Sequence, residues 1–462
     1  MKFPKDFIWG AAASSYQIEG SPLLQGGGAS VWDMMGRHDG KIVGGETGER
    51  ACDHFNRFRD DIDLMSEIGL QAYRFSISWP RVLPEGTGRI DQKGLDFYSQ
   101  LVDGLLEKDI IPWLTLFHWD FPYELYCKGG WLNRDSADWF AEYTSIIVDR
   151  LSDRVSRWCT LNEPQIYIGM GHHLGTHAPG LPMATAESLR AAHHTLLAHG
   201  KAVQVIRAEA KTAPYISASH AGDFSIPNSE SDLDIDAARQ RNFSILQKGF
   251  LNNSWFSDPM ILGAYPQDGL ALYGRDMPEI YLDDMDTICQ PLDYVGTNIY
   301  SGNYVRHDEQ CSFEVVYRDG ISYTDMGWPV TPEVMYWAPR FYYERYGLPV
   351  IVTENGMANP DHATGDRVDD KVRINFLQEY LHHFGRAIED GIPCPAYMLW
   401  SLMDNFEWAE GYSKRFGMIH VNYEDQTRTL KDSAYWYQDV IQNNEVLPEW
   451  QRPNYQFNAE AS

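Results

Sequence analysis

Residues 137–164 read ADWFAEYTSIIVDRLSDRVSRWCTLNEP, and the order of patterns in this stretch sets the architecture. Residues 137–151 carry apolar side chains at helical spacing. Residues 155–161 then form a short run rich in residues that suit a buried strand. Pro164 cannot continue a ladder, so Glu163 stands where the strand stops. A helix, a buried strand and a polar strand end make one repeating unit.

Working outward, the unit recurs along the chain. Strands are expected at 7–13, 71–79, 110–119, 155–161, 213–219, 292–299, 349–353 and 396–401. Helices are expected at 55–68, 95–106, 137–151, 187–209, 232–250, 332–346, 371–390 and 433–442. Eight strands alternating with helices point to a (β/α)8 barrel. A doubly wound open sheet shows the same alternation, so periodicity leaves both open. No low-complexity tract or Pro/Gly/Ser linker divides the chain, so a single domain over 1–462 is expected. Gly26-Gly27-Gly28 lacks the strand–GxGxxG–helix setting of a dinucleotide site and reads as loop.

Bulk properties narrow the classes. A hydrophobic share of 44% is that of a globular chain, which excludes wholesale disorder. The formal charge of −27 repels phosphate backbones and anionic lipid, so neither nucleic acid nor membrane is an expected partner. Aromatics reach 13%, which serves either core packing or stacking platforms for flat ligands such as sugar rings. The six cysteines (Cys52, Cys127, Cys159, Cys289, Cys311 and Cys394) show no C-x-x-C pair, as expected for free thiols in a reducing compartment. Residues 1–6 lack an apolar leader core, and no apolar run is long enough to span a bilayer. A cytoplasmic protein is expected.

Cleaving a glycosidic bond requires an acid for the leaving oxygen and a carboxylate to receive the oxocarbenium-like carbon. Glu163 in Thr160-Leu161-Asn162-Glu163-Pro164 and Glu354 in Thr353-Glu354-Asn355-Gly356 both follow strands. In a barrel, strand C-terminal ends form the catalytic face. Other strand ends add polar and aromatic groups: Gln17 and Glu19; His118-Trp119-Asp120; Asn298 and Tyr300; then Trp400, Asp404, Glu407 and Trp408. Donors, acceptors and flat rings at one mouth suit a polyhydroxylated ring.

With these motifs in view, the chain resembles glycoside hydrolase family 1, the β-glucosidase and β-galactosidase family, from Phe7 to about Tyr437. The likeness rests on Phe7-Ile8-Trp9-Gly10, Ser14-Ser15-Tyr16-Gln17-Ile18-Glu19-Gly20, Thr160–Pro164, Thr353–Gly356, Trp400–Trp408 and Arg415-Phe416-Gly417. It implies a TIM barrel with elaborated βα loops. It also implies a retaining mechanism, with Glu163 as acid/base and Glu354 as nucleophile. Gln17, His118, Asn162 and Glu407 would bind sugar hydroxyls, assisted by Trp408 and floored by Trp400. Tyr300 and Arg74 would support the nucleophile, and Asn298 would line the same pocket. Trp119, Trp328 and Phe416 complete the implied substrate contacts. The substrate would be a small β-glycoside or oligosaccharide, with no cofactor.

The chain departs from the family pattern at Ala13, at Gln25-Gly26-Gly27-Gly28 and at Gln165, which are expected at the pocket rim, where aglycone preference is set. The pair His172-His173 lacks carboxylate or cysteine spacing, so no metal is expected. One rival activity is a 6-phospho-β-glycosidase, whose members typically carry Ser where Glu407 stands. Another reading is a carbohydrate-binding relative that has lost catalysis, but both glutamates are present.

Overall fold

The computed structural model describes residues 1–20, 23, 26–447, 449, 450 and 452; Gln25 lies outside them. Eight strands close into a parallel barrel: β1 (Ile8–Ala12), β2 (Ala72–Ser76), β3 (Ile111–Phe117), β4 (Arg157–Asn162), β5 (Tyr215–His220), β6 (Val295–Asn298), β7 (Val350–Asn355) and β8 (Ala396–Trp400). Each pairs with its sequence neighbours, and β1 closes the ring by pairing with both β2 and β8. An open doubly wound sheet is thereby ruled out.

The surrounding helices are α1 (His54–Ile68), α2 (Gln92–Glu107), α3 (Ser136–Leu151), α4 (Thr185–Glu209), α5 (Asp232–Phe243), α6 (Val334–Tyr346), α7 (Lys371–Glu389) and α8 (Asp432–Asn443). One expectation fails in extent. The helix expected over 232–250 stops at Phe243. Ser244 turns extended, and the Ile245 amide donates to Asp268 at 2.8 Å, which draws the chain off the helix axis. Three short helices missed in the sequence follow before β6: Ser257–Leu262, Gln267–Tyr273 and Asp284–Ile288.

The loops also add strands that were not foreseen. Phe224–Pro227, Gly302–Asp308 and Ser312–Val316 form a small sheet, and Ile419–Val421 pairs with Arg428–Leu430. Helix α5 packs mainly on the three-stranded sheet. Aromatic abundance is largely explained by packing. Of 15 tryptophans, Trp9, Trp32, Trp79, Trp113, Trp131, Trp158, Trp255 and Trp436 are almost wholly buried. Among the described residues no helix is long and apolar enough to cross a membrane.

The barrel is not regular at the C-terminal ends of its strands. The β4–β5 register shifts between Cys159 and Asn162. The β7–β6 and β7–β8 registers shift just after Val352. Such irregularities bend a strand and re-aim its side chains. Here they fall at the ends of the two strands that carry Asn162, Glu163 and Glu354.

Candidate active site

Glu354 lies within the last rungs of β7, which runs on to Asn355, so its side chain is aimed by the ladder itself. Gly356 follows directly after β7. Its backbone does not need positive φ; a Cβ there would lie 1.8 Å from the Trp400 carbonyl oxygen, so it is close approach that requires glycine. Glu163 leaves β4 differently. It adopts the left-handed conformation (φ 51°, ψ 63°), and Pro164 then opens a one-turn helix. Trp119 (φ 81°) and Trp408 (φ 50°) share this uncommon backbone region. Strained residues persist where their surroundings over-determine them, and they concentrate at functional sites.

The two glutamates are held by different partners. Arg74, from β2, donates through Nη1 to Glu354 Oε1 at 2.7 Å and through Nη2 to Asn162 Oδ1 at 2.6 Å. The Tyr300 hydroxyl donates to Glu354 Oε2 at 2.8 Å. Glu163 accepts from Asn298 Nδ2 at 2.8 Å, and Thr353 Oγ1 orients that amide by donating to Asn298 Oδ1 at 2.6 Å.

Burial lifts both carboxyls above their ordinary range. Glu354 is opposed most strongly by the Arg74 cation and then by the Tyr300 hydroxyl. Glu163 is pushed up to about 8 by burial and then by the Glu354 charge. Between the two, the proton belongs on Glu163.

The sugar-binding candidates gather around this pair. Asn162 Nδ2 donates to His118 Nε2 at 3.0 Å, which leaves the His118 proton on Nδ1. Burial, reinforced by Arg74, holds the His118 pKa well down, so the ring is neutral. His118 stacks near Trp400 and Trp408, with centroids at 5.7 and 5.9 Å. Gln17, on the short helix Ser15–Ile18, donates through Nε2 to Asn405 Oδ1, the Phe406 carbonyl and Glu407 Oε2. Burial and the Glu354 charge push Glu407 up to about 8. Trp328 lies 5.0 Å from Tyr300 and 6.0 Å from Phe416, which continues the aromatic wall outward. Trp119 packs tilted against Trp408, ring centroids 4.5 Å apart, and its indole nitrogen is committed to the Asn162 carbonyl at 2.9 Å.

Several expectations are corrected. Gln165 is not at the rim: it is fully buried, with its amide against His220 and Ala221. The turn through Glu163 and Pro164 throws it toward β5. Glu19, Asp120 and Asp404 were placed at the mouth, yet each is buried in a network of its own. Glu19 accepts from Arg81 and Tyr98, and Asp404 from Lys431 and Arg415. His172 Nδ1 donates to the Tyr167 carbonyl at 2.8 Å, which is a structural use. Two orienting residues went unread although both lie inside the quoted motifs. Ser14 donates to Gln17 Oε1 at 2.7 Å, and Asn405 accepts from Gln17 at 2.9 Å.

A closed barrel with two buried glutamates at strand ends, one beside an arginine and one inclined to hold its proton, defines the class: a (β/α)8 glycoside hydrolase. The family model described as Glycosyl hydrolase family 1 matches residues 1–446. A 1,4-beta-D-glucan glucohydrolase of Thermotoga neapolitana is 46% identical over 446 residues, 96% of this chain and 99% of that one. Beta-glucosidase A of Thermotoga maritima is 46% identical over 447 residues, 96% and 98% of the two chains. A solved structure of the beta-glucosidase from Thermotoga maritima in complex with deoxynojirimycin superposes with a TM-score of 0.88 at 45% identity, covering 96% of this chain and 100% of that one. The chain belongs to glycosyl hydrolase family 1.

Proposed function

We propose that this chain is a retaining β-glucosidase. It removes terminal non-reducing β-D-glucosyl residues, and also galactosyl and fucosyl residues, from β-glucosides and short oligosaccharides such as cellobiose. Residues 1–462 act as one catalytic domain in the cytoplasm, a location that the six unpaired cysteines support.

The chemistry follows from the different partners of the two glutamates. Glu354, with Arg74 and Tyr300 on its oxygens, attacks the anomeric carbon while Glu163 gives its proton to the departing oxygen. A glycosyl ester on Glu354 results, and the aglycone leaves as an alcohol. Glu163, now ionised, takes a proton from water as that water opens the ester. Sugar and free Glu354 are released with the starting protonation restored. Substrate and water supply every atom. Gln17, His118, Asn162 and Glu407 bind the hydroxyls over the Trp400 floor, with Trp119, Asn298 and Trp408 around them. Trp328 and Phe416 lead toward the aglycone.

The observation that carries this reading is the Arg74–Glu354 contact opposite a Glu163 whose pKa is pushed up to about 8. The phosphorylated-sugar reading is disfavoured. Glu407 stands where such members typically carry Ser, and Lys414, the nearby cation, already pairs with Asp325 at 3.2 Å. The test is hydrolysis of p-nitrophenyl β-glucoside followed by NMR of the first-formed sugar. β-Glucose is expected; α-glucose overturns the retaining mechanism, and no turnover overturns the activity.

A further inference from the structure

Of the strand-end carboxylates that the sugar pocket does not use, Asp120 is the odd one. Glu19 has Arg81, and Asp404 has Lys431 and Arg415, at 2.6–2.8 Å. Asp120 is fully buried and has no cation partner among the described residues. Its Oδ2 accepts from Ser15 Oγ at 2.9 Å, and the Ser78 hydroxyl also supports the carboxylate. Burial pushes its pKa up to about 7, as for a carboxyl that functions as a hydrogen-bonding group rather than a fixed charge.

Its position explains what it holds. Asp120 follows His118 and Trp119 at the end of β3, just past a Trp119 backbone in the left-handed region. Ser15 opens the short helix Ser15–Ile18 on which Gln17 sits. Ser15 is anchored a second time, its amide donating to Ser76 Oγ at 2.8 Å, and Ser76 Oγ donates back to Ser15 Oγ at 3.1 Å. The amide end of Gln17 meets Asn405, Phe406 and Glu407 beyond β8. One buried hydrogen bond therefore joins the segments bearing Gln17 and His118, two side chains that must face the same ring.

We propose that Asp120 is a positioning residue for sugar recognition, acting through the Ser15 hydroxyl on Gln17. The proposal rests on the β-glucosidase reading. A site that recognises hydroxyls by hydrogen bonds loses much when its partners shift by a fraction of their reach. The acceptor oxygen, not the negative charge, is what the Ser15 contact uses.

The test is a double-mutant cycle on aryl β-glucoside hydrolysis, with thermal unfolding of each variant as the control for folding. Asp120→Ala is expected to lower kcat/KM by about tenfold or more in the native background, and by less than about threefold in the Gln17→Ala background. Asp120→Asn keeps an acceptor for Ser15 and is expected to stay within about threefold of the parent. Ser15→Ala cuts the same tie by removing one oxygen and should reproduce the loss if Asp120→Ala fails to fold. Equal losses in both backgrounds, an Asp120→Asn as impaired as the alanine, or a fully active Ser15→Ala would each overturn the proposal. Failure of the parent enzyme to cleave the glucoside would instead overturn the β-glucosidase reading.

Discussion

Arg74 Nη1 stands 2.7 Å from Glu354 Oε1, two residues 280 positions apart in the chain and both all but buried. A guanidinium so placed offsets the desolvation of the carboxylate and aims one of its oxygens. The same arginine reaches Asn162 and so ties β7 to β4 through β2.

Replacing Arg74 with Met removes the largest opposition to the burial of Glu354, so its pKa rises further. The proposed mechanism needs Glu354 ionised as its nucleophile. The acidic limb of the kcat/KM profile should therefore move to higher pH, and kcat/KM at neutral pH should fall by on the order of 10²-fold. An unmoved acidic limb would show that Arg74 does not set the charge on Glu354.

In the proposed mechanism the basic limb belongs to Glu163. Its raised pKa of about 8 keeps the proton in place at neutral pH, and kcat/KM should decline as pH rises through that value. In Glu354→Gln the neighbouring negative charge is gone, so the Glu163 pKa should drop. Carbon-13 NMR titration of labelled glutamate would read the change; a rise on this substitution contradicts the assignment.

Azide separates the two glutamates. Glu354→Gly cannot form the glycosyl-enzyme, and azide attacking directly should give a glycosyl azide of inverted configuration. Glu163→Ala still forms the intermediate from a dinitrophenyl glucoside, and azide should then give the retained product. Identical stereochemistry from both variants would refute the roles proposed for them.

Glu407→Ser should cost on the order of 10²-fold in kcat/KM on unphosphorylated glucosides. The substitution removes an acceptor for sugar hydroxyls and for the Gln17 amide, which lies 3.2 Å away. Kinetics close to those of the parent would place the sugar elsewhere.

Gly356→Ala should destabilise the fold by about 2 kcal/mol or more, because the new methyl must displace the Trp400 carbonyl. Urea denaturation would detect this. A midpoint equal to that of the parent would mean that β7 and β8 separate more easily than their packing implies.

All eight barrel strands were legible as buried apolar runs, with ends displaced by a few residues. Glu163, Glu354 and Arg74 were singled out through motif resemblance, since no local pattern tells one strand-end glutamate from another, and the fold brings the three together. The 232–250 helix was over-extended because Asp268, which ends it, is distant in sequence. Gln165 was misplaced because the left-handed turn at Glu163 leaves no trace in residue periodicity.

What the sequence by itself determined was the order of strands and helices, the residue types at each strand end and the family they resemble. Strand and turn preferences act over a few neighbouring residues, so they can be read from one chain. Only the tertiary structure decided which carboxylate meets a cation. Glu354 finds Arg74, Glu19 finds Arg81, Asp404 finds Lys431, and Asp120 finds Ser15. Each pairing depends on barrel closure, and that of Glu354 also on the register shifts at the end of β7. Charge, burial and donor geometry in a buried site are set by groups far apart in the chain, and their sum appears only when the ring is closed.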